Sequence, residues 1–295
     1  MLRGFSRMKL HCFERTFSHY SPALTPIQLP GPMETHLWYV KPMEVNSESL
    51  LSQYMEILPP CERENVCRMQ GEELRKSALL ARALIRTTIA RCIAQLMLYW
   101  FSVDQINSHT NPRSLKFRKN SHGKPEVEWQ IIKNWRPPAL HFNLSHTSSL
   151  VACGVTVDAQ VGIDVEEKHR NIKHNILAFA RRYFSKHEVQ SLAVISDPRV
   201  QKMEFMKLWT LKEAYVKALG KGFSGAPFKT FTIRFEGAAK GGFNTLEDLS
   251  PKVSEIIVDC IRNVPGKFIV WKTVPFLEDE RVSGTAAVRT ISGLQ

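Results

Sequence analysis

Residues 209–217 read WTLKEAYVK, and residues 161–166 read VGIDVE. These two segments say the most about the fold and chemistry of the chain. Glu213 and Lys217 are four residues apart in a helical pattern, so they share one helical face. Asp164 and Glu166 are two residues apart in an extended pattern, so both side chains leave the same face of a strand. If the helix packs on the strand, three carboxylates and a lysine meet in one place.

This set of side chains has the composition of a divalent-cation site. Hard cations such as Mg²⁺ prefer carboxylate oxygens, and a neighbouring ammonium suits a phosphate oxygen of a substrate. Each part also has a simpler interpretation, because alternating acids on a hairpin usually form a solvated face, and Glu213 with Lys217 is an ordinary helix-surface pair. Since the strand is otherwise apolar, its acids are expected at a rim opposite a buried face. Trp209 is expected in the core.

The composition is that of a globular protein with a strong basic excess. The length of 295 residues suits one large domain or two small ones, and the apolar share of 43% is enough for a sizeable core. The formal net charge of +12 favours an anionic partner, either a nucleic acid, an anionic membrane, a phosphorylated metabolite or an acidic protein. The longest apolar run, residues 92–101, is far too short to span a bilayer, which predicts a soluble protein without a membrane partner.

The cysteines form no CxxC pair and have no zinc-ligand spacing with histidine. We expect most of them to be small buried residues of a protein in a reducing compartment. The six positions are Cys12, Cys61, Cys67, Cys92, Cys153 and Cys260.

The first 32 residues differ from the rest of the chain. Basic residues alternate with apolar ones, and Glu14 is the only acid before Glu34. An Arg-rich, acid-poor, amphipathic start is typical of an organellar transit peptide, so residues 1–32 are predicted to be a transit peptide and a proline-rich linker directed to the mitochondrion. The alternatives are a plastid peptide and a disordered basic tail of a cytoplasmic protein. The basic residues are Arg3, Arg7, Lys9 and Arg15.

Hydrophobic periodicity divides the remainder into helices and strands. Helical patterns cover residues 49–57, 72–101, 171–193 (one or two helices) and 203–219. Strand patterns cover residues 37–40, 127–132, 150–157, 161–166, 228–235, 255–262, 268–274 and 281–291. Pro59 and Pro60 are expected to end the first helix. The helix over 72–101 is expected to carry an exposed basic band formed by Arg75, Arg82 and Arg86.

This mixture of helices and hairpin-linked strands predicts an α+β fold instead of a doubly wound sheet. Each half has one long helix and about three strands, which is consistent with an internal duplication. Residues 33–157 form the predicted N-terminal subdomain. Residues 158–295 form the predicted C-terminal subdomain, which carries the metal site.

Two shorter motifs precede the acidic strand. Gly123-Lys124-Pro125 lies in a turn-rich stretch, and residues 143–146 read NLSH at the opening of a strand. A polar turn that caps its own backbone explains NLSH as well as a phosphate contact does. Gly220-Lys221-Gly222 follows a helix and lacks the ending of a phosphate loop, so it is interpreted as a helix stop.

In this order, the Gly-Lys-Pro, NLSH, GIDVE and WTLKEAYVK motifs resemble those of the 4′-phosphopantetheinyl transferases. The resemblance is to the larger monomeric, surfactin-synthetase-activator type and covers about residues 35–290. It implies a pseudo-duplicated fold of two similar α+β subdomains, each a long helix packed on a small antiparallel sheet, with coenzyme A between them. It also implies a Mg²⁺-dependent holo-[acyl-carrier-protein] synthase. Such enzymes move the phosphopantetheine of coenzyme A to a serine of an acidic apo acyl carrier protein and release adenosine 3′,5′-bisphosphate.

The resemblance also assigns roles to individual residues. Asp164, Glu166 and Glu213 match the metal ligands, and Glu213 is also the candidate base for the carrier serine. Lys217 matches the catalytic lysine on the pyrophosphate. The remaining matches are coenzyme A contacts: Arg63, Arg68, Gly123, Lys124, Pro125, Ser145 and His146. Of these, the two arginines are the nearest candidates for basic residues that hold the 3′-phosphate.

Three other functions are compatible with part of this pattern. A basic nucleic-acid-binding protein fits the charge, but no RRM, zinc-finger or helix-turn-helix signature is present. A nucleotide-dependent phosphotransferase lacks its glycine-rich phosphate loop. A non-catalytic relative that acts as a scaffold would not need all three carboxylates. The sequence leaves the choice of carrier open, although an organellar leader favours fatty acid biosynthesis.

Overall fold

The computed structural model describes residues 9–14, 24–31, 34–98, 100–102, 106, 110–129, 135, 137–168, 170, 172, 175–235, 256–260, 269–278 and 282–291, with side chains placed only between residues 24 and 233. The chain divides into two compact units. The first consists of Met1–Asn120 and Pro125–Asp158, and the second of Ser121–Lys124 and Ala159–Gln295. No helix within the described ranges is both long and apolar enough to cross a bilayer.

The first unit contains a four-stranded sheet and a small ribbon. The sheet strands are β1 (Lys9–Glu14), β2 (Glu34–Val40), β5 (Leu140–His146) and β6 (Val151–Val157), and the ribbon strands are β3 (Phe117–Lys119) and β4 (Pro125–Val127). The sheet has the order β1-β2-β6-β5. Strands β1 and β2 are parallel, whereas the β2–β6 and β5–β6 pairs are antiparallel.

Three helices complete the first unit: α1 (Glu48–Glu56), α2 (Pro60–Cys67) and α3 (Glu72–Met97). The apolar side of α3 contributes Leu84 and Ile89, which are fully buried with Val151 and Cys153 of the sheet in one hydrophobic cluster. The periodic apolar pattern of α3 therefore buries the helix against the sheet, as the sequence predicts.

Arg86 of α3 does not belong to an exposed basic band, and that expectation is wrong. Its guanidinium is buried and forms a two-pronged ion pair with Glu62 of α2, with both N···O distances at 2.8 Å. The remaining donor, Nη1, contacts the carbonyl oxygens of Pro112 and Leu115 at 2.6 and 3.0 Å. Arg86 therefore joins α3 to α2 and to the segment around Pro112 and Leu115. Arg75, in contrast, is exposed as expected.

The second unit is a five-stranded antiparallel sheet covered by helices. Its strands are β7 (Val161–Glu167), β8 (Phe231–Phe235), β9 (Ile256–Cys260), β10 (Ile269–Glu278) and β11 (Val282–Ile291), in the order β7-β11-β10-β9-β8. Its helices are α4 (Ile176–Tyr183), α5 (Lys186–Ala193), α6 (Pro198–Leu219) and the single turn α7 (Gly222–Gly225).

Local sequence signals set both ends of the long helix α6. Asp197 caps the N-terminus by accepting a hydrogen bond from the backbone N–H of Arg199, and Pro198 takes the first helical position. At the other end, Gly220 adopts a left-handed conformation with φ of 63° and stops the helix. The interpretation of Gly220-Lys221-Gly222 as a helix stop is confirmed.

Close packing of α6 on β7 requires a glycine at position 162. A Cβ atom there would overlap the carbonyl oxygen of Ala214 and the backbone nitrogen of Ala218, both in α6. These are backbone atoms of a helix that is itself packed, so they cannot move aside as a side-chain tip can. Gly162 therefore sets how closely the strand with Asp164 approaches the helix with Glu213 and Lys217.

The predicted α+β fold is confirmed: each unit pairs one long helix with a sheet, although the first sheet also contains a parallel pair. The expected end of the first helix before Pro59 and Pro60 is confirmed, since α1 ends at Glu56. Pro60 also begins α2, a helix that the sequence patterns did not predict, because proline is favoured in the first turn of a helix.

Two other local interpretations are wrong. The strand predicted over 127–132 ends at Val127, and residues 130–132 lie outside the described residues. The NLSH motif at 143–146 lies within the strand β5 and is not a polar turn.

The domain boundaries differ slightly from those drawn on the sequence. The first unit ends at Asp158, and Ser121–Lys124 belongs to the second unit. In the predicted linker, Ile27 is buried in the first hydrophobic cluster, and Arg91 of α3 donates a hydrogen bond to the carbonyl of Thr25 at 2.7 Å. This part of residues 1–32 is thus integrated into the first unit, while the transit peptide itself stays a prediction.

Candidate active site

A short ion pair between the two motif segments joins Lys217 to Asp164. The Lys217 ammonium donates to Oδ1 of Asp164 at 2.6 Å, so α6 and β7 do bring the predicted residues together. Asp164 is only 4% exposed, in contrast to the solvated rim expected from the strand pattern. A buried carboxylate requires a charged or hydrogen-bonding partner, and Lys217 supplies one here.

Glu166, two residues further along β7, has a different partner. Nη1 of Arg170 contacts both carboxylate oxygens of Glu166, at 3.0 and 2.9 Å. The glutamate side chain is 15% exposed and the arginine side chain 58% exposed, so this pair lies at the edge of the site. A backbone hydrogen bond from Arg170 to the carbonyl of Glu167 forms a turn that directs the arginine back toward the strand.

Glu213 is electrostatically coupled to both acids of β7. Burial raises the pKa of Glu213 to about 7, and the negative charges of Asp164 and Glu166 add to the rise. The positive charges of Lys217 and Arg170 oppose it. The five charges therefore form one interacting group within the second unit.

The donor set of this group fits a hard divalent cation. Three carboxylates provide the oxygen ligands that Mg²⁺ and Mn²⁺ prefer, and their mutual repulsion favours a cation among them. Among the described residues, no group of three or more His, Cys, Asp or Glu side chains has the arrangement of a metal site. The reason is visible in the ion pairs, because Asp164 and Glu166 are each turned toward a basic side chain.

Lys212, the neighbour of Glu213, is buried in an ion pair of its own. Its ammonium lies 2.9 Å from Oε1 of Glu188 and donates at 2.8 Å to the carbonyl oxygens of Phe228 and Phe231. It also lies 4.1 Å from the centre of the Phe231 ring. Burial lowers the pKa of Lys212 to about 8, and the carboxylate of Glu188 opposes that change.

Trp209 is half-buried and packs against the core around this lysine, as expected. Its ring packs edge-on against Phe228 at 5.2 Å and lies 5.6 Å from the ring of Phe179. One side of α6 is therefore anchored by aromatic packing and the Lys212 ion pair. The residues that point away from that side carry the candidate chemistry.

Comparisons with known proteins identify the family of this chain. Residues 160–256 match the profile of the 4′-phosphopantetheinyl transferase superfamily, and residues 45–157 match the profile of the N-terminal domain of 4′-phosphopantetheinyl transferases. The chain is 30% identical over 182 residues to the 4′-phosphopantetheinyl transferase Sfp of Bacillus subtilis. These residues are 61% of this chain and 68% of Sfp. This chain belongs to the 4′-phosphopantetheinyl transferase superfamily.

Other members of the superfamily align over different lengths. The transferase HetI of Nostoc sp. is 29% identical over 191 residues, which are 65% of this chain and 70% of HetI. The transferase psf-1 of Bacillus pumilus is 44% identical over 119 residues, which are 40% of this chain and 45% of psf-1. The chain therefore spans less than half of psf-1, but about two thirds of Sfp and HetI.

Among the coenzyme A contacts expected of a phosphopantetheinyl transferase, Lys124 has a clear structural task. Its ammonium donates to the carbonyl oxygens of Val161 and Ala218 at 2.9 and 3.2 Å. It thereby joins the start of β7 to the last turn of α6, where carbonyl groups lack helical partners. Gly123 beside it has φ of 89°, a conformation that favours glycine, and Pro125 begins β4.

The other expected contacts lie in the first unit. Ser145 is buried and His146 exposed at the end of β5. Arg63 donates to the carbonyls of Glu56 and Leu58 and pairs with the Glu56 carboxylate at 2.7 Å. Arg68 pairs with Glu64 at 3.2 Å. Their roles toward coenzyme A stay predictions.

Sequence reasoning missed three residues of structural importance. Arg170 follows the GIDVE motif without a recognisable pattern, Arg86 was expected in an exposed basic band, and Lys212 was given no role. The signal for Lys212 was the set of residues three and four positions away on its helical face, which are all apolar: Leu208, Trp209, Tyr215 and Val216.

Proposed function

We propose that this chain transfers the 4′-phosphopantetheine group of coenzyme A to a serine of an apo acyl carrier protein, as a holo-[acyl-carrier-protein] synthase. The products are holo carrier protein and adenosine 3′,5′-bisphosphate. The observation that supports this most is the Asp164–Lys217 contact at 2.6 Å, with Glu213 and Glu166 coupled to it. Acids and a lysine at one place are suited to binding a pyrophosphate through a cation.

Asp164, Glu166 and Glu213 are the residues proposed to hold the cation, Mg²⁺ or Mn²⁺. When bound, the cation neutralises charge on the pyrophosphate and on the phosphate that leaves. The carboxylates would fix the position of the cation in the site. Their burial matters because electrostatic interactions are stronger where water is scarce.

Glu213 and Lys217 carry the proposed chemical step. Glu213 accepts the proton of the carrier serine, directly or through a water molecule, because a hydroxyl is a poor nucleophile while protonated. The serine oxygen bonds to the β-phosphorus, and the bond from that phosphorus to the bridging oxygen breaks. Lys217 holds an oxygen of the pyrophosphate and stabilises charge on the leaving group.

The coenzyme A contacts are proposed for Arg63, Arg68, Gly123, Lys124, Pro125, Ser145 and His146. His146 and the arginines would contact the 3′-phosphate, and residues 123–125 the adenine. Since the Lys124 ammonium already holds two backbone carbonyls, this lysine would serve the nucleotide by shaping the loop around it.

The proposed macromolecular partner is an acidic carrier protein, with no nucleic acid or membrane partner. The net charge of +12 would draw such a carrier to the enzyme by electrostatic steering. We further propose a monomer in the mitochondrion, acting in fatty acid biosynthesis, with the cytoplasm and plastids as alternatives. A fluorescent fusion of residues 1–32 tests the location, and light scattering tests the monomer.

The decisive experiment mixes the protein with coenzyme A, Mg²⁺ and an apo carrier, then weighs the carrier by mass spectrometry. We expect the carrier to gain the phosphopantetheine mass, and Glu213→Gln to remove most of this activity while circular dichroism shows an intact fold. Lack of any gain with several carriers, together with tight salt-sensitive binding of DNA or RNA, would overturn the proposal.

A further inference from the structure

The ion pair between Arg170 and Glu166 occupies atoms that a cation would need. Both carboxylate oxygens of Glu166 face Nη1 of Arg170, at 3.0 and 2.9 Å. A divalent cation at the carboxylates would use the same oxygens and would repel the guanidinium. The two positive groups therefore compete for one ligand.

The exposure of the two side chains decides which of them moves. Glu166 is 15% exposed and extends from the β7 strand, whereas Arg170 is 58% exposed and lies in the turn after it. An arginine that is already mostly in water loses little by turning outward, and exposed ion pairs are weak. Arg170 is thus a counter-ion that yields to a stronger one.

The charge of Arg170 also reaches the third acid of the site. A guanidinium held at Glu166 partly cancels the negative charge that a cation would meet at the neighbouring carboxylates of Asp164 and Glu213. The guanidinium therefore reduces the negative potential of the whole carboxylate group, and not that of Glu166 alone.

We propose that Arg170 is an internal competitor of the divalent cation: it neutralises Glu166 when no cation is bound and thereby sets the cation affinity of Asp164, Glu166 and Glu213. This inference rests on the metal site of the proposed function. It assigns no part of the transfer reaction to Arg170, in contrast to Lys217, whose replacement would alter both the ion pairing and the chemistry.

The test is a direct titration of the full chain with Mn²⁺, without coenzyme A or carrier. Electron paramagnetic resonance measures the concentration of free Mn²⁺ at each step. We expect Arg170→Gln to bind Mn²⁺ about two- to fivefold more tightly than the wild type, because the cation no longer has to displace the guanidinium from Glu166. The effect is small because an ion pair with an exposed arginine is weak. Arg170→Lys keeps the charge and is expected to stay near the wild type. Asp164→Asn is expected to lose most of the binding, which identifies the site.

The matched control is Arg118→Gln. Arg118 also forms an exposed ion pair, with Glu126 at 3.2 Å, but lies in the ribbon of the first unit. We expect its Mn²⁺ affinity to equal that of the wild type. The inference is overturned if Arg170→Gln binds Mn²⁺ equally or more weakly, or if Arg170→Lys and Arg118→Gln tighten binding as much as Arg170→Gln does.

Failure of this inference is distinguishable from failure of the proposed function. If the carrier gains mass but Arg170→Gln has wild-type Mn²⁺ affinity, only the competition is wrong. If no carrier gains mass while Asp164→Asn abolishes Mn²⁺ binding, the cation site stands and the transferase function is wrong.

Discussion

The Lys212 ammonium and the Glu188 carboxylate lie 2.9 Å apart with their side chains 0% and 1% exposed. Glu188 also accepts backbone hydrogen bonds from Ser185 and Ile233, both at 2.9 Å. The pair therefore joins α5, α6 and β8 at the residue next to Glu213. Since neighbouring helical residues point about 100° apart, Lys212 can anchor one side of α6 while Glu213 serves the other.

Loss of Lys212 should be costly for stability. We expect Lys212→Met to lower the free energy of unfolding by about 3–5 kcal/mol, because it leaves the buried Glu188 carboxylate without its cation. Lys212→Met with Glu188→Gln should be less harmful than Lys212→Met alone, since a neutral amide is cheaper to bury. Urea unfolding measures both, with exposed Lys221→Met as a control that stays within about 0.5 kcal/mol. Equal losses for the single and double variants would contradict this account.

Gly162 should not tolerate a side chain. We expect Gly162→Ala to lower the free energy of unfolding by about 1–3 kcal/mol or more, because its Cβ would overlap backbone atoms of Ala214 and Ala218. Gly31→Ala is the control, since its Cβ would meet only the side chain of Glu34, at 3.1 Å. Thermal unfolding compares the two variants, and equal midpoints would show that α6 can move away from β7.

Lys217 should act in the transfer reaction and not only as an ion-pair partner. We expect Lys217→Ala to lower kcat for carrier modification by about 10²–10³, the usual loss when a group that stabilises transition-state charge is removed. Lys221→Ala, one turn beyond on an exposed site, should keep wild-type kinetics. Steady-state assays with coenzyme A and apo carrier decide this, and an unchanged kcat for Lys217→Ala would reduce the residue to a structural partner of Asp164.

Glu204 should make the protein less stable as the pH rises. Burial raises the pKa of Glu204, and the Lys207 ammonium, 3.9 Å away, only partly opposes the rise. The folded state therefore binds the Glu204 proton more tightly than the unfolded state does. The stabilisation that this proton provides is fully present below the unfolded pKa of 4.5 and is lost as the pH rises through the folded pKa. Glu204→Gln should exceed the wild type in stability near neutral pH and lose that advantage in acid. Unfolding curves across this range test the sign, and a wild type that is more stable than the variant at neutral pH would refute it.

The cysteines should differ in reactivity. Burial raises the pKa of Cys92 to about 12 and also raises that of Cys153, so both thiols stay protonated and shielded. Cys61 and Cys67 of α2 are exposed, so two of the four cysteines whose side chains the structure describes are buried and two are not. Iodoacetamide should label Cys61 and Cys67 in the native protein, and all four only after unfolding. Peptide mass mapping reports each position, and early labelling of Cys92 or Cys153 would contradict the burial.

Much of the fold was predictable because its signals are local. The 3.6-residue period identified α3 and α6, and alternation identified β7, since both patterns reflect how one element meets its neighbours. The strand predicted over 127–132 failed because a short apolar run carries no period of its own. The α2 helix was missed because proline signals both the end of one helix and the start of the next.

The predictions for the site divide in the same way. Asp164, Glu166 and Glu213 could be placed together from spacing and the resemblance to a family. Their counter-ions could not, because the side-chain partners of a charged residue depend on how separate elements pack. Arg170, which pairs with Glu166, has no motif of its own, and the Lys217 contact with Asp164 spans 53 residues.

The long helices, the strand β7 and the family follow from the amino-acid sequence alone, because they depend on short-range periodicity and on motif residues. Which charges are buried and paired follows from the packing of the elements. Arg86 with Glu62 and Lys212 with Glu188 are ordinary surface residues by composition, and each pair forms only after its helices have met. A buried charge requires a partner, and which partner it finds depends on how elements that are distant in the chain pack together.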